Sequence, residues 1–219
     1  MELADAGSNL AEIYACCGIH PQDGKEEVGR LESEYIDQLR QVVDSSKKVV
    51  AIGECGLDYL DQTSSEEKIF QEELFSSQIE LAKELKLPVV VHCRNAWIDI
   101  FDPLTINHSP LTTRGMFHSW TGTLADAKRA IDLGFYISFS GIVTFKNAGA
   151  IVDVAKWTPV DRILLETDTP FLTPMPYRGK QNEPKNVRIT AQFIADLRGV
   201  PLEKIAEVTT RNAEGLFGV

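Results

Sequence analysis

Three of the four histidines in this 219-residue chain each follow a short apolar run, and so do two of its carboxylates. The run at 13–19 (IYACCGI) leads into His20-Pro21, and the run at 49–53 (VVAIG) leads into Glu54 and on through Cys55-Gly56-Leu57-Asp58. PVVV at 88–91 precedes His92-Cys93-Arg94, GMF at 115–117 precedes His118-Ser119-Trp120, and ILL at 163–165 precedes Glu166-Thr167-Asp168. Neutral imidazole and carboxylate are the usual ligands of zinc, manganese and similar divalent ions. A carboxylate can bridge two ions while histidines fix each one. Taken alone, a strand-end histidine is usually just hydrogen-bonded, and a Glu-x-Asp is usually a solvated turn or a helix cap. Five such residues after successive runs point instead to one metal centre. His108, in Asn107-His108-Ser109-Pro110, lies away from any run and reads as a surface residue.

The runs that carry these residues are too short for core helices. Several are rich in Val and Ile, and their unbroken apolar character suits strands buried on both faces. FYISF at 135–139 is a sixth. Helical patterns lie between them. Ser64 and Ser65, with Glu66 and Glu67, read as an N-cap and an acidic first turn, followed by Phe70, Leu74, Leu81 and Leu85 up to the break at Pro88. Thr123 caps a second helix that Gly134 stops. Pro184 sits in the first turn of a third, ended by Gly199, and a fourth spans 202–217 after Pro201. Strands alternating with helices predict a parallel α/β fold. An open nucleotide-binding sheet would favour a glycine-rich phosphate turn, and neither G-x-G-x-x-G nor G-x-x-x-x-G-K-[ST] occurs. The pattern therefore favours a TIM-type barrel, where strand ends open onto one face and active sites are built there.

Composition narrows the function. The length suits one domain, 1–219, burying roughly 70% of the unfolded chain's surface. The net charge of −10 argues against a protein that coats nucleic acid, which needs clustered Lys and Arg. It suits an enzyme that grips one phosphate in a pocket. No run approaches the ~20 apolar residues of a membrane span, and MELADAGSNL is unlike a secretory signal, so a cytoplasmic location is expected. Cysteines 16, 17, 55 and 93 form no C-x-x-C pair and read as small apolar side chains behind the strands.

GIHP (18–21), GECGLDY (53–59), PVVVHCR (88–94), MFHSWTG (116–122), YISFSG (136–141), LLETDTPFLTP (164–174), RGKQNEP (178–184) and TTRNAEGLF (209–217) occur in order. Together they resemble the successive signatures of the TatD family of metal-dependent hydrolases and deoxyribonucleases. The resemblance implies an amidohydrolase-like barrel with one or two divalent ions (Mg, Mn or Zn) that hydrolyses phosphodiesters, typically DNA. By motif, Glu54 is the bridging carboxylate, and His92 and His118 serve one metal. Asp168 ligates the other and takes the proton of the attacking water. His20 and Arg94 match positions near the substrate, and the Arg178-Gly179-Lys180 loop is a phosphate contact. His20 and that loop also read as a packing residue and a solvated helix-entry turn. Family members begin with a strand bearing His-x-His and a second βα unit before GIHP, whereas no histidine precedes His20 here. The expectation is six of eight strands, about 45 residues short of a ~250-residue barrel. One metal site is then weakened, and the open edges favour oligomers. Gly215 is a weak helix former, costing about 1 kcal/mol relative to Ala. Two alternatives stand beside the nuclease: a hydrolase of another ester or amide on the same fold, and an inactive metal-binding remnant.

Overall fold

Alternating Val/Ile runs and amphipathic stretches produce six strands and seven α-helices in the described residues of this computed structural model, which are 13–23, 32–60, 63–106 and 114–219. His108 lies outside them. The chain divides into two compact units, Met1–Gly115 and Met116–Val219.

The first unit holds β1 (Ala15–Cys17), α1 (Glu32–Asp44), β2 (Val49–Asp58), α2 (Ser65–Leu85), β3 (Val89–Arg94) and α3 (Phe101–Ile106). β1, β2 and β3 lie side by side in that order, and both pairings are parallel. Helix α2 starts where the sequence implies. The Ser64 side chain accepts from the Glu67 N–H while Glu67 reaches back to the Ser64 N–H, satisfying two otherwise unpaired donors. The helix stops at Lys86, which takes a left-handed φ of 56°. Its inner face buries Leu74, Phe75, Ile79, Leu81 and Ala82. Each large apolar side chain there contributes ~1.5–3 kcal/mol.

The same face also buries two glutamines seven residues apart, and they act as clamps on the strands. Gln78 Oε1 accepts from Ile19 N at 2.7 Å and its Nε2 donates to Ile19 O, which fixes the backbone just before His20. Gln71 does the same at Asp58, with bonds of 2.8 and 3.2 Å.

Strand β2 runs further than its apolar segment implies. Glu54 therefore lies inside the strand rather than at its end, which corrects the sequence-based expectation. The cause is the pairing of 55–58 with 91–94 on β3, resumed after an irregularity between Ile52 and Cys55. Glycine makes this approach feasible. Gly56 has φ +147°, and a Cβ there would stand 2.0 Å from the His92 carbonyl oxygen. Gly56→Ala is accordingly expected to lower the unfolding free energy by at least ~2 kcal/mol. Urea melts of the two proteins measure it, and an unchanged midpoint would refute the steric argument.

The second unit holds β4 (Gly115–Phe117, which begins at the boundary), α4 (Leu124–Asp132), β5 (Tyr136–Phe139), α5 (Gly149–Trp157), β6 (Ile163–Leu165), α6 (Val187–Arg198) and α7 (Leu202–Phe217). β4, β5 and β6 are neighbours in sequence order and parallel. Thr123 caps α4 reciprocally with Asp126, and Gly199 ends α6 in a left-handed conformation with φ 65°. Phe117 packs edge-on to Trp120 and tilted against Phe135, both at 5.5 Å. Asn212 on α7 donates to Val160 O and Ile163 O and so anchors the start of β6. Gly215 is accommodated within α7.

The buried-cysteine expectation holds for Cys55 and Cys93 but not for Cys16, which is exposed on β1. Among the described strands β1 has a single sheet neighbour, and its middle residue faces outward.

Candidate metal centre

In the first unit, alternation along the strands sorts the side chains. On β3, His92 and Arg94 share one face while Cys93 between them is buried on the other. On β2, Glu54 projects beside His92, and Cys55 turns inward, 3.8 Å from the Val90 carbonyl. Burial pushes the Cys55 thiol well above its usual range, so it stays protonated and outside the site.

His92 is held from both ends. Its Nδ1 lies 2.6 Å from Glu54 Oε1 and its Nε2 lies 3.1 Å from Asp58 Oδ2. Burial alone would lower its pKa, but the bonds to Asp58 and Glu54 outweigh burial and raise it above 6.5. Asp58 is fully buried at the end of β2. Burial pushes its carboxyl up, and hydrogen bonds from His92 and Arg94 prevail, bringing it down to about 2. Arg94 grips it bidentately, Nε to Oδ1 at 2.8 Å and Nη2 to Oδ2 at 2.7 Å, while half of the arginine side chain faces solvent. Arg94 thus has one edge committed to Asp58 and the other turned outward.

His20 follows β1 and stands edge-on to His92 with centroids 4.5 Å apart, its Nε2 4.0 Å from Glu54 Oε1. The donor atoms of His20, Glu54 and His92 all lie within 4.8 Å of one another. This nitrogen–oxygen–nitrogen set suits a divalent ion of the zinc or manganese kind. The three residues do not contribute alike. Gln22 N–H donates to His20 Nδ1 at 3.1 Å, so a neutral His20 carries its proton on Nε2, directed towards Glu54. Burial, followed by the proximity of His92, lowers the His20 pKa and keeps the ring neutral. His20 therefore directs an N–H towards the cluster, while Glu54 Oε1 and His92 Nδ1 lie 2.6 Å apart within it.

In the second unit, His118 follows β4, its Nδ1 2.7 Å from Glu166 Oε1. Asp168, three residues past β6, takes φ 59°, a left-handed conformation that costs a residue with a Cβ. A folded loop over-determines it. Phe171 N donates to Asp168 O at 2.7 Å and Asn182 N to Pro170 O at 3.0 Å. The buried Asn182 amide donates to Thr167 O and Phe171 O and accepts from Glu183 N and Asn186 Nδ2. Arg178 lies over the Phe145 ring at 4.2 Å, and Lys180 Nζ stands 5.6 Å from the Tyr177 ring centre. Both cations are exposed, as phosphate contacts would be.

Asp58, Gln22, Gln71, Glu166 and Asn182 were not assigned from sequence. Asp58 and Asn182 stand inside the GECGLDY and RGKQNEP segments, and Glu166 within LLETD. Only the spatial pairing gives them roles.

The chain matches the TatD related DNase family over residues 2–218. It is 41% identical to YcfH of Escherichia coli K12, an uncharacterized metal-dependent hydrolase, over all 219 residues and 79% of that protein. It is 33% identical to the 3'-5' ssDNA/RNA exonuclease TatD of Citrobacter koseri, over 96% of this chain and 81% of that one. Among solved structures it resembles YjjV, a TatD homolog from E. coli K12, with a TM-score of 0.86 and 29% identity, covering 100% of this chain and 82% of that one. A phosphotriesterase homology protein from E. coli, 18% identical with a TM-score of 0.63 over 93% of this chain and 74% of that one, shares the fold. The α/β fold is thus of the TIM-barrel hydrolase type expected from the sequence.

Proposed function

The chain belongs to the TatD related DNase family of metal-dependent hydrolases, and from that premise we propose that it hydrolyses phosphodiester bonds in DNA. The observation that carries the reading is the pairing of Glu54 Oε1 with His92 Nδ1 at 2.6 Å, with His20 beside them in one cluster. When bound, a divalent ion supplies a water of lowered pKa, towards ~7, and polarises a phosphoryl oxygen. Glu54 and His92 would hold that ion, and in the second unit His118 and Asp168 match ligand positions by their motifs. His20 presents its Nε2–H to an oxygen of the phosphate. Arg94, by its solvent-facing edge, and the exposed Arg178 and Lys180 meet flanking phosphates. Asp168 accepts the proton of the attacking water, which requires only hydrogen-bond reach to it.

Net charge and hydropathy fit this reading. A chain of charge −10 grips substrate at a site rather than along a basic surface. No helix among the described residues is long and apolar enough to cross a membrane, and a cytoplasmic location is part of the proposal.

The greater identity to YcfH than to the exonuclease favours one second reading, a TatD-type hydrolase of another ester or amide. The test is an end-labelled single-stranded oligodeoxynucleotide incubated in Mg²⁺ or Mn²⁺, beside RNA, aminoacyl-tRNA and small esters. Nucleotide release that EDTA abolishes is the expected result. Intact DNA alongside turnover of another substrate would replace the nuclease reading with the second.

A further inference from the structure

We propose that Phe171 is a stacking platform for an unpaired base, which makes a single strand the form of nucleic acid this chain grips. The inference rests on the reading that the chain hydrolyses phosphodiester bonds, and it goes further by naming the residue that holds the base.

Of the chain's ten phenylalanines Phe171 alone is exposed, with 67% of its surface open to solvent. One apolar side chain in water is ordinary on a loose loop tip. Here the backbone is built to hold the ring out. The residues around it take left-handed angles that a Cβ disfavours, φ 59° at Asp168 and 52° at Leu172. The loop is pinned on both sides of the ring. The buried Asn182 amide donates to Thr167 O and to Phe171 O, each at 2.7 Å. Leu172 O presses on Gly141 so closely that a Cβ there would stand 2.0 Å from it. Thr173 Oγ1 donates to Lys180 O and Asn182 N donates to Pro170 O, so 170–173 and 180–182 lie side by side. Turning the ring inward would break these bonds.

What surrounds the ring identifies its occupant. The arm that returns beside it carries the exposed cations Arg178 and Lys180 and the exposed ring of Tyr177. With Arg188 and Phe193 of α6, that arm lines a groove of about 850 Å³, within the size range of ligand sites. Two acids of the groove already have partners: Glu183 with Lys185 at 2.6 Å, and Asp196 with Gln192 at 2.8 Å. An apolar partner protein would gain little from a lone ring among cations. A nucleotide strand uses both, stacking a base on the ring and setting its phosphates against the cations. Inside a duplex both faces of every base are covered by neighbours. Phe171 can therefore engage only an unpaired or terminal base.

The test measures binding to the full chain in Mg²⁺ by fluorescence anisotropy. The probe is a labelled oligothymidylate with phosphorothioate links, which resist cutting. Phe171→Ala should weaken binding about 5–140-fold, the ~1–3 kcal/mol of one stacked base. Phe171→Trp should bind at least as tightly as the wild type. Phe171→Leu keeps apolar bulk without a planar face and should resemble the Ala variant. An abasic oligomer of the same length should bind the wild type and the Ala variant alike. A covalently closed duplex circle should compete poorly for both. Thermal melts of the variants should match the wild type, because the ring lies outside the core. An Ala variant with wild-type affinity, or one that loses the abasic oligomer equally, would overturn the role. So would a Leu variant that binds as the wild type does. Each of these failures leaves the wild type's own hydrolysis of DNA standing. A wild-type chain that neither binds nor cuts DNA would overturn the nuclease reading as well, so the two failures are distinguishable.

Discussion

His92→Ala is expected to strip the chain of most of the divalent ion that the wild type retains through dialysis. The imidazole is the only group in the described cluster that faces a carboxylate at each nitrogen, Glu54 at 2.6 Å and Asp58 at 3.1 Å. Its removal deletes a ligand atom and leaves Glu54 without a nitrogen partner on that side. The loss should exceed the roughly 10–100-fold that partners behind the ligands are worth. His20→Ala provides the comparison. Because its Nδ1 is engaged by Gln22, that change removes a donor rather than a ligand and should cost less metal. Metal analysis of the dialysed proteins reads both. Stoichiometric metal in the His92 variant would show that the centre lies elsewhere.

Asp168→Asn should cut turnover on the oligonucleotide by about 10²-fold or more. Asn is nearly isosteric and cannot take a proton. It is also among the few residues that tolerate the left-handed backbone held at this position, so the loop and its bonds to Asn182 should survive. The decisive comparison is kcat together with the thermal melt. A fall in kcat with an unchanged melt and unchanged metal content assigns proton transfer to Asp168. Wild-type turnover in the variant would remove that role.

Much of this architecture is legible in the sequence where local chemistry and packing agree. Ser64 and Thr123 announce their helices because an oxygen of the right reach meets unpaired N–H groups. Gly199 ends α6 because a left-handed residue is needed there. Helices α1, α3 and α5 were not anticipated. α1 keeps Tyr35 and Leu39 buried one turn apart amid polar neighbours, too sparse a stripe to stand out. α3 is six residues with a proline near its start, and the β-branched Ile151, Val152 and Val154 of α5 weaken its helical signal. The strand limits of β2 were missed because pairing across to β3 sets them, not the apolar run. Within the cluster of the first unit, residue type pointed to Glu54 and His92. Asp58 stayed hidden, since a buried acid is recognised only by its donors. His92 and Arg94 come from another strand, and Gln71 from the helix packed behind it.

The sheet order has a consequence for how the chain is made. Within each unit every strand pairs with the one just before it in sequence, with one helical crossover between them. A nascent chain therefore finds each new strand's partner already synthesised. Among the described strands of each unit, no pairing waits for a segment several elements away, and the cost of closing loops stays at one crossover per step. In the first unit, Glu54 and Asp58 emerge before the strand carrying His92 and Arg94, so the charges of the cluster come together only when β3 docks. In the second, β6 gains the Asn212 bonds at its entry only after α7 has been made, so a unit assembled strand by strand is fastened last from its final helix.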